Sequence, residues 1–262
     1  MHCGYLIYTN IKYLHLAQVL VDSLMEFSNY PIEITTTGFD FPKKDARIIN
    51  KRHDETDKYF SDVCYFKNLY MAAITDFDVS VVLDADMVVN TNIDDLMELA
   101  IAHPRPYTLN AGHGCDPHNQ EEGMEYAGVK VKSMPYVYST YFSCSESKPF
   151  LKECWELSQT WKRNHFIPPN TGESILNIML WANKVTEQVN CWLPYIDVFS
   201  HYISQGNEPT PLDSYYEGKE LSYHVWHGQK DEVKAREMLN ILRWQYQGNP
   251  LLKIKPRLLK HE

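Results

Sequence analysis

The sequence lacks several patterns that mark particular protein classes. Its six cysteines, at positions 3, 64, 115, 144, 154 and 191, are widely spaced and form no C-x-x-C pair, which argues against a disulfide scaffold. No apolar run reaches the roughly eighteen residues of a membrane span. Gly4 stands alone near the N-terminus, without the glycine-rich, basic loop typical of sugar nucleotidyltransferases. We therefore expect a globular protein with reduced thiols and no membrane span.

Basic residues are also too few for a nucleic-acid-binding surface. The chain has 25 Lys and Arg against 34 Asp and Glu, a formal net charge of -9, so its average surface repels a phosphate backbone. An anionic ligand must therefore be met by local cations or by a metal ion.

The N-terminal residues show no targeting signal. Residues 1–5 contain neither a basic segment nor a long apolar one, so we expect neither secretion nor membrane insertion. Reduced cysteines favour the cytoplasm, although a lumenal enzyme cut from a membrane anchor would show the same counts. The sequence leaves the oligomeric state open.

Short apolar runs rich in β-formers alternate with segments of helical periodicity. Strands are predicted at residues 4–9, 32–37, 47–50, 79–83, 136–142 and 221–226. Helices are predicted from residue 14 to the break at 28, and at 65–75, 149–163, 171–181 and 231–246. The alternation predicts an α/β fold with a mainly parallel sheet, and 262 residues without a linker fit one domain.

Two carboxylates, Asp84 and Asp86, follow the predicted strand at residues 79–83. This strand is largely apolar, so we place it at the centre of the sheet, whose strands carry ligand sites at their carboxyl ends. Two neighbouring carboxylates are costly to bring together without a cation, and their hard oxygens select Mg²⁺ or Mn²⁺. The D-x-D motif therefore predicts a metal ion held against a substrate diphosphate; the alternative is a simple polar turn.

Two histidines, a glycine and a lysine lie close together later in the sequence: His224, His227, Gly228 and Lys230. Imidazole suits Mn²⁺ as a third ligand, and a glycine turn beside a lysine suits a diphosphate. In a strand, the two histidines would point to opposite faces, so we expect only one of them to bind metal. The alternative for each is an ordinary core or surface position.

These motifs resemble those of nucleotide-sugar glycosyltransferases of the GT-A fold, of the glycogenin and lipopolysaccharide galactosyltransferase type. The matching segments occur in the same order over most of the chain: Tyr8-Thr9, Tyr65-Phe66-Lys67, Leu83-Asp84-Ala85-Asp86, Tyr138-Ser139-Thr140-Tyr141-Phe142 and Asn170–Asn177. The family's C-terminal His-x-x-Gly-x-x-Lys pattern is only approximated, which leaves the choice between His224 and His227 open.

The resemblance implies a single GT-A domain over residues 1–262, with a mixed, mostly parallel central sheet flanked by helices. Residues 1–110 would form the nucleotide-binding half and residues 111–230 the acceptor half with the metal-ligand segment. Residues 231–262 would form a C-terminal helix and tail.

The resemblance also implies a role for each matching residue. The donor-binding positions would be Tyr8, Thr9, Lys67, Asp84, Ala85, Ser139, Thr140, Gly228 and Lys230. The metal ligands would be Asp84, Asp86 and one of His224 and His227. The implied cofactor is Mn²⁺ or Mg²⁺, and the implied partners are a nucleotide-sugar donor, most simply a UDP-hexose or UDP-pentose, and a glycan acceptor.

The implied reaction moves the sugar to an acceptor hydroxyl. The metal held by Asp86, together with Lys230, would neutralise charge on the departing nucleoside diphosphate. Glu173 is the carboxylate that we place nearest the reacting sugar, where it would act as a base if the sugar is inverted. The alternative for Glu173 is a carboxylate favoured by the dipole at a helix start, and the sequence does not decide between retention and inversion.

Two other classes fit parts of the sequence. Asp84-Ala85-Asp86-Met87-Val88 fits the nucleophile motif of haloacid-dehalogenase-like phosphatases, although that motif normally opens its domain. A non-catalytic carbohydrate-binding protein with a structural metal would also account for the aromatic-rich segments. Release of nucleoside diphosphate from a sugar donor would separate a transferase from both.

Overall fold

A computed structural model divides the chain into two compact units that are interleaved in sequence. The first unit comprises Met1–Ile11, Tyr30–Leu83 and Met97–Leu193, and the second comprises Lys12–Asn29, Asp84–Leu96 and Pro194–Glu262. The structure describes residues 1–53, 67–89, 94, 97–98, 101, 107–112, 125–126, 129–130, 136–144, 147–164, 171–183, 189–190, 225–226 and 232–246. The division of a single domain at residues 110 and 230 stays a prediction.

The described strands and helices are numbered here in chain order. The strands are β1 (Cys3–Thr9), β2 (Ile32–Thr37), β3 (Ile48–His53), β4 (Val79–Leu83), β5 (Val88–Val89), β6 (Tyr107–Gly112), β7 (Glu125–Tyr126), β8 (Val129–Lys130), β9 (Tyr136–Cys144), β10 (Val189–Asn190) and β11 (Val225–Trp226). The helices are α1 (Leu14–Phe27), α2 (Lys67–Ile74), α3 (Lys148–Asn164), α4 (Thr171–Ala182) and α5 (Glu232–Tyr246).

The first unit is built on a seven-stranded sheet with the strand order β10-β6-β9-β4-β1-β2-β3. The pairs β1–β2, β2–β3, β1–β4 and β6–β10 are parallel, whereas β9 runs antiparallel to both β4 and β6. The sheet is therefore mixed and mostly parallel, as predicted. The strand β4 lies between β1 and β9, which confirms its predicted central position.

Strand β1 is buried along its whole length because it lies between two parallel neighbours. Gly4 has a packing reason here: a Cβ at this position would lie 2.7 Å from the backbone oxygen of Pro31 and 2.3 Å from the Phe77 ring. The next residue, Tyr5, donates its backbone N–H to that same Pro31 oxygen at 2.9 Å. A side chain at position 4 would therefore push apart two segments that the sheet holds together.

Strand β3 departs from its prediction. The sequence predicts residues 47–50, whereas the strand runs from Ile48 to His53 and pairs in parallel with β2 along its full length. Its second half, Lys51-Arg52-His53, is polar, and its residues are partly or fully exposed because β3 ends the described order of the sheet. Edge strands readily carry charged residues, so β3 extends beyond the apolar residues from which the strand was predicted.

The second unit pairs α1 with α5 and contains the short antiparallel pair β5–β11. The buried face of α1 is mainly aliphatic, with Leu16, Leu20 and Leu24 at helical spacing. Arg236 of α5 donates to Asp22 of α1 at 3.2 Å and to Glu232 on its own helix at 2.8 Å. In the β5–β11 pair, Val225 lies opposite Val89 and Trp226 opposite Val88.

Two further properties bear on the expectations from composition. Among the helices in the described ranges, none combines the length and the apolar character needed to cross a bilayer. Cys3 and Cys154, the cysteines whose side chains the structure describes, are free and buried. Burial raises the pKa of the Cys154 thiol well above its usual value, so this thiol is chemically quiet at neutral pH.

Candidate functional site

The acidic pair of the D-x-D motif forms a tight turn in the second unit. Asp84 follows Leu83, the last residue of β4, and the backbone N–H of Met87 donates to the Asp84 carbonyl at 3.1 Å. Asp84 is half-buried, while Asp86 is 8% exposed. A carboxylate this far removed from water is costly unless charge or hydrogen bonds compensate it.

The turn is anchored to α1 through the strand that follows it. The backbone N–H of Val89 donates to Ser23 Oγ at 3.0 Å, and the same hydroxyl donates to the Leu20 carbonyl at 2.7 Å. Ser23 is fully buried in the apolar face of α1. A polar side chain thus satisfies a backbone donor of β5 that the β5–α1 contact would otherwise leave without a partner.

Asp94 makes a second attachment to α1, at the end of the helix. Its carboxylate accepts from the Ser28 hydroxyl and, at 3.2 Å, from the backbone N–H of Asn29. The segment after the acidic turn is therefore attached to α1 at two points, Ser23 and Ser28.

The two aspartates fit the ligand set of a hard divalent cation. Mg²⁺ and Mn²⁺ are commonly held by one or two carboxylates, with water and substrate phosphates completing the shell. In the part of the chain that the structure describes, no group of three or more His, Cys, Asp and Glu side chains converges as a metal site. Asp84 and Asp86 are thus the described metal-ligand candidates.

The other predicted residues of this segment lie outside the described residues: His224, His227, Gly228 and Lys230. The described strand β11, Val225–Trp226, lies between the two histidines in sequence and pairs with β5. Strand β5 itself begins two residues after Asp86.

A cationic cluster lies in the first unit, at the carboxyl ends of β1 and β2. Lys67, the first described residue of α2, is 3% exposed, and its Nζ donates to Tyr8 Oη at 2.6 Å. The same Nζ lies 3.4 Å from Thr37 Oγ1 and 4.6 Å from the centre of the Tyr8 ring. Tyr8 Oη and Thr37 Oγ1 are themselves 3.2 Å apart, so the three polar groups form a closed triangle.

Five other predicted donor or catalytic residues have described backbones but carry less information, among them Ala85, which lies in the turn between Asp84 and Asp86. The Thr9 hydroxyl donates to the Asn10 carbonyl at 3.1 Å. Ser139 and Thr140 lie in β9, immediately before Tyr141, which pairs with Val82 of β4. Glu173 is the third residue of α4, at the start of the helix as predicted. The side chains of Ser139, Thr140 and Glu173 lie outside the described part of the chain.

Thr37 was not among the residues predicted from the sequence. The run Thr35-Thr36-Thr37 predicts only the end of a strand. Nothing in it indicates that the Thr37 hydroxyl contacts Lys67, thirty residues further along the chain. The sequence offered only a weak indication of its role: Thr37 is a polar residue at the carboxyl end of a predicted strand, and ligand sites lie at such ends in parallel sheets.

No protein-family model and no curated protein matches the chain. Solved structures do match it. The galactosyltransferase LgtC in complex with donor and acceptor sugar analogues aligns with 94% of this chain and 100% of that chain, at a TM-score of 0.59 and 13% identity. An active-site mutant of LgtC aligns with 91% of this chain and 95% of that chain, at the same TM-score and identity. The chain therefore has the GT-A-type fold that the sequence motifs predicted.

Proposed function

We propose that this protein is a metal-dependent glycosyltransferase that moves a sugar from a nucleotide-sugar donor, a UDP-hexose or UDP-pentose, to an acceptor hydroxyl on a glycan. The observation that carries the proposal is the buried carboxylate of Asp86, held in a tight turn directly after the central strand β4 of a GT-A-type sheet. A chain of net charge -9 needs a local cation to meet a diphosphate, and this turn is suited to hold one.

In the proposed site, Asp84 and Asp86 would hold Mn²⁺ or Mg²⁺, which would supply a Lewis acid for the charge that develops on the departing diphosphate. Lys67 is proposed as a cation for the donor, with its ammonium group held by the hydroxyls of Tyr8 and Thr37. Lys230 is proposed as a further cation for the diphosphate. Glu173 is the proposed base, which would take the proton of the acceptor hydroxyl if the sugar is inverted.

The third protein ligand is proposed to be one of His224 and His227, which flank the described strand β11, Val225–Trp226, in sequence. Aligning the strand with the family's C-terminal pattern favours His224, whereas aligning Gly228 favours His227. Imidazole from either position would suit Mn²⁺ as a third ligand.

The two histidines provide a matched pair of variants for this choice. One of His224→Ala and His227→Ala should weaken Mn²⁺ binding, measured by electron paramagnetic resonance of the free ion, by more than about tenfold, whereas the other should bind Mn²⁺ like the wild type. The weakened variant identifies the ligand. Wild-type affinity in both variants would remove histidine from the metal site.

The transferase activity itself is tested by a donor screen. Purified protein is incubated with individual nucleotide sugars and Mn²⁺ or Mg²⁺, and release of nucleoside diphosphate is followed with and without glycan acceptors. Asp86→Asn should reduce release by at least about 100-fold, because it removes a ligand charge while keeping the size of the side chain. Asp76→Asn is the control, since that carboxylate has an 86% exposed side chain. Absence of release from every donor, or full activity of Asp86→Asn, would overturn the proposal.

The phosphatase alternative finds no support in the fold. Its motif normally opens the domain, whereas the acidic turn follows the four strands β1 to β4, and the two matching structures described above are of a galactosyltransferase. The carbohydrate-binding alternative predicts metal-dependent sugar binding without turnover, so the donor screen distinguishes it from the transferase.

A further inference from the structure

The triangle formed by Tyr8, Thr37 and Lys67 contains one residue to which no role in the proposed function has been given. Tyr8 and Lys67 match donor-binding positions, whereas Thr37 is known here only through its contacts. We propose that Thr37 is a positioning residue that holds the Lys67 ammonium group, through Tyr8 and directly, in the orientation that binds an anionic donor. This inference rests on the proposed function.

The contacts of Thr37 show how it would act. Its Oγ1 lies 3.2 Å from Tyr8 Oη and 3.4 Å from Lys67 Nζ. One hydroxyl therefore contacts both the Lys67 ammonium group and Tyr8 Oη, the nearer of the two hydroxyls to which that group donates. The ammonium group donates to Tyr8 Oη at 2.6 Å, and Thr37 Oγ1 lies within hydrogen-bond distance to accept the phenol proton. Thr37 thereby fixes the phenol in the orientation in which its lone pairs face Lys67.

The burial of the cluster makes such positioning effective. Lys67 is 3% exposed and Tyr8 is 8% exposed, while Thr37, at the end of β2, is only partly buried. A lysine side chain is long and flexible, so fixing it in one orientation costs conformational entropy. Holding it in place before the donor arrives removes that cost from donor binding.

The chemistry of the acceptors supports a binding role over a purely structural one. Tyr8 and Thr37 are neutral hydroxyls, so these two contacts orient the ammonium group without cancelling its charge. The centre of the Tyr8 ring lies 4.6 Å from Nζ, and the quadrupole of the ring also stabilises the cation without adding a formal charge. Neither of these two hydroxyls competes with an anionic ligand for the charge of Lys67.

Variants at position 37 provide the test. Thr37→Val keeps the size and branching of the side chain and removes the hydroxyl, whereas Thr37→Ser keeps the hydroxyl and removes the methyl group. Thr37→Val should raise KM for the nucleotide sugar about tenfold with less than a twofold change in kcat, because the interaction is made in the ground state and the transition state alike. Thr37→Ser should restore the wild-type KM.

Two further variants separate positioning from a loss of structure. Tyr8→Phe keeps the ring under Nζ and removes the hydroxyl, so it should raise KM as Thr37→Val does, and the double variant should be no worse than either single one. Additive effects, or a fall in melting temperature that Thr37→Ser shares, would assign Thr37 a structural role and overturn the inference.

Failure of the inference differs from failure of the proposed function. If the wild type releases nucleoside diphosphate and Thr37→Val retains the wild-type KM, Thr37 is not a positioning residue and the transferase proposal stands. If the wild type neither binds UDP with Mn²⁺ nor releases it from any donor, both proposals fall.

Discussion

The two buried carboxylates Glu33 and Asp86 lie in different electrostatic surroundings. Glu33 on β2 is 2% exposed, and its Oε2 accepts from Lys51 Nζ at 3.0 Å and from Thr75 Oγ1 at 3.2 Å. Its Oε1 has no hydrogen-bond partner among the described residues. Glu33 is thus neutralised by a side chain of the next strand, whereas Asp86 lies in a turn that carries a second carboxylate, which is the arrangement that favours a metal ion.

Removal of Lys51 should therefore destabilise the protein through the charge it leaves behind. Lys51→Met keeps most of the side chain's length but leaves Glu33 buried without its cation, and should lower the free energy of unfolding by about 2–3 kcal/mol. The measurement is urea denaturation at neutral pH. The double variant Glu33→Gln/Lys51→Met should recover most of the loss, because it removes both charges; equal loss in single and double variants would show that the ion pair is not the cause.

Strands and helices with a clear period were predicted closely, and short elements were not. The strands β2 and β4 begin and end where the sequence predicts, and α1 begins at Leu14 as its apolar spacing indicates. The two-residue strand β5 was not predicted, because two valines show no period. Its existence follows from a tertiary contact, the pairing with β11, which the order of residues along the chain does not specify.

Ser23 is the residue through which α1 supports β5. Ser23→Ala leaves the buried N–H of Val89 without its acceptor and should lower the free energy of unfolding by about 2 kcal/mol, measured by urea denaturation. It should also weaken Mn²⁺ binding, since β5 begins two residues after Asp86. Ser158→Ala is the control: this buried serine donates to the Trp155 carbonyl in α3 and should leave Mn²⁺ binding unchanged. If Mn²⁺ affinity survives in Ser23→Ala while stability falls, β5 does not position the acidic turn.

For the molecule as a whole, the fold was predictable from the order of its motifs, and the assembly of its site was not. The alternation of strands and helices predicted an α/β fold and the order of the motifs resembled the GT-A type, which the alignment with LgtC structures over 91–94% of the chain confirms. The cluster around Lys67 joins residues 8, 37 and 67, and such proximity depends on the strand order of the sheet. Sequence order alone carries no such distance information, so Thr37 was missed while Tyr8 and Lys67 were predicted.

The net charge of the molecule makes the central claim directly measurable. With a formal charge of -9, the chain should bind a diphosphate only when a cation occupies the acidic turn. Isothermal titration of UDP into the wild type, with Mn²⁺ or with EDTA, tests this, and Asp76→Asn serves as the control for loss of an exposed carboxylate. We predict binding with Mn²⁺ that weakens by more than about 100-fold on removal of the metal or in Asp86→Asn, with Asp76→Asn unchanged. Tight binding of UDP by Asp86→Asn, equal to that of the wild type with Mn²⁺, would contradict the account.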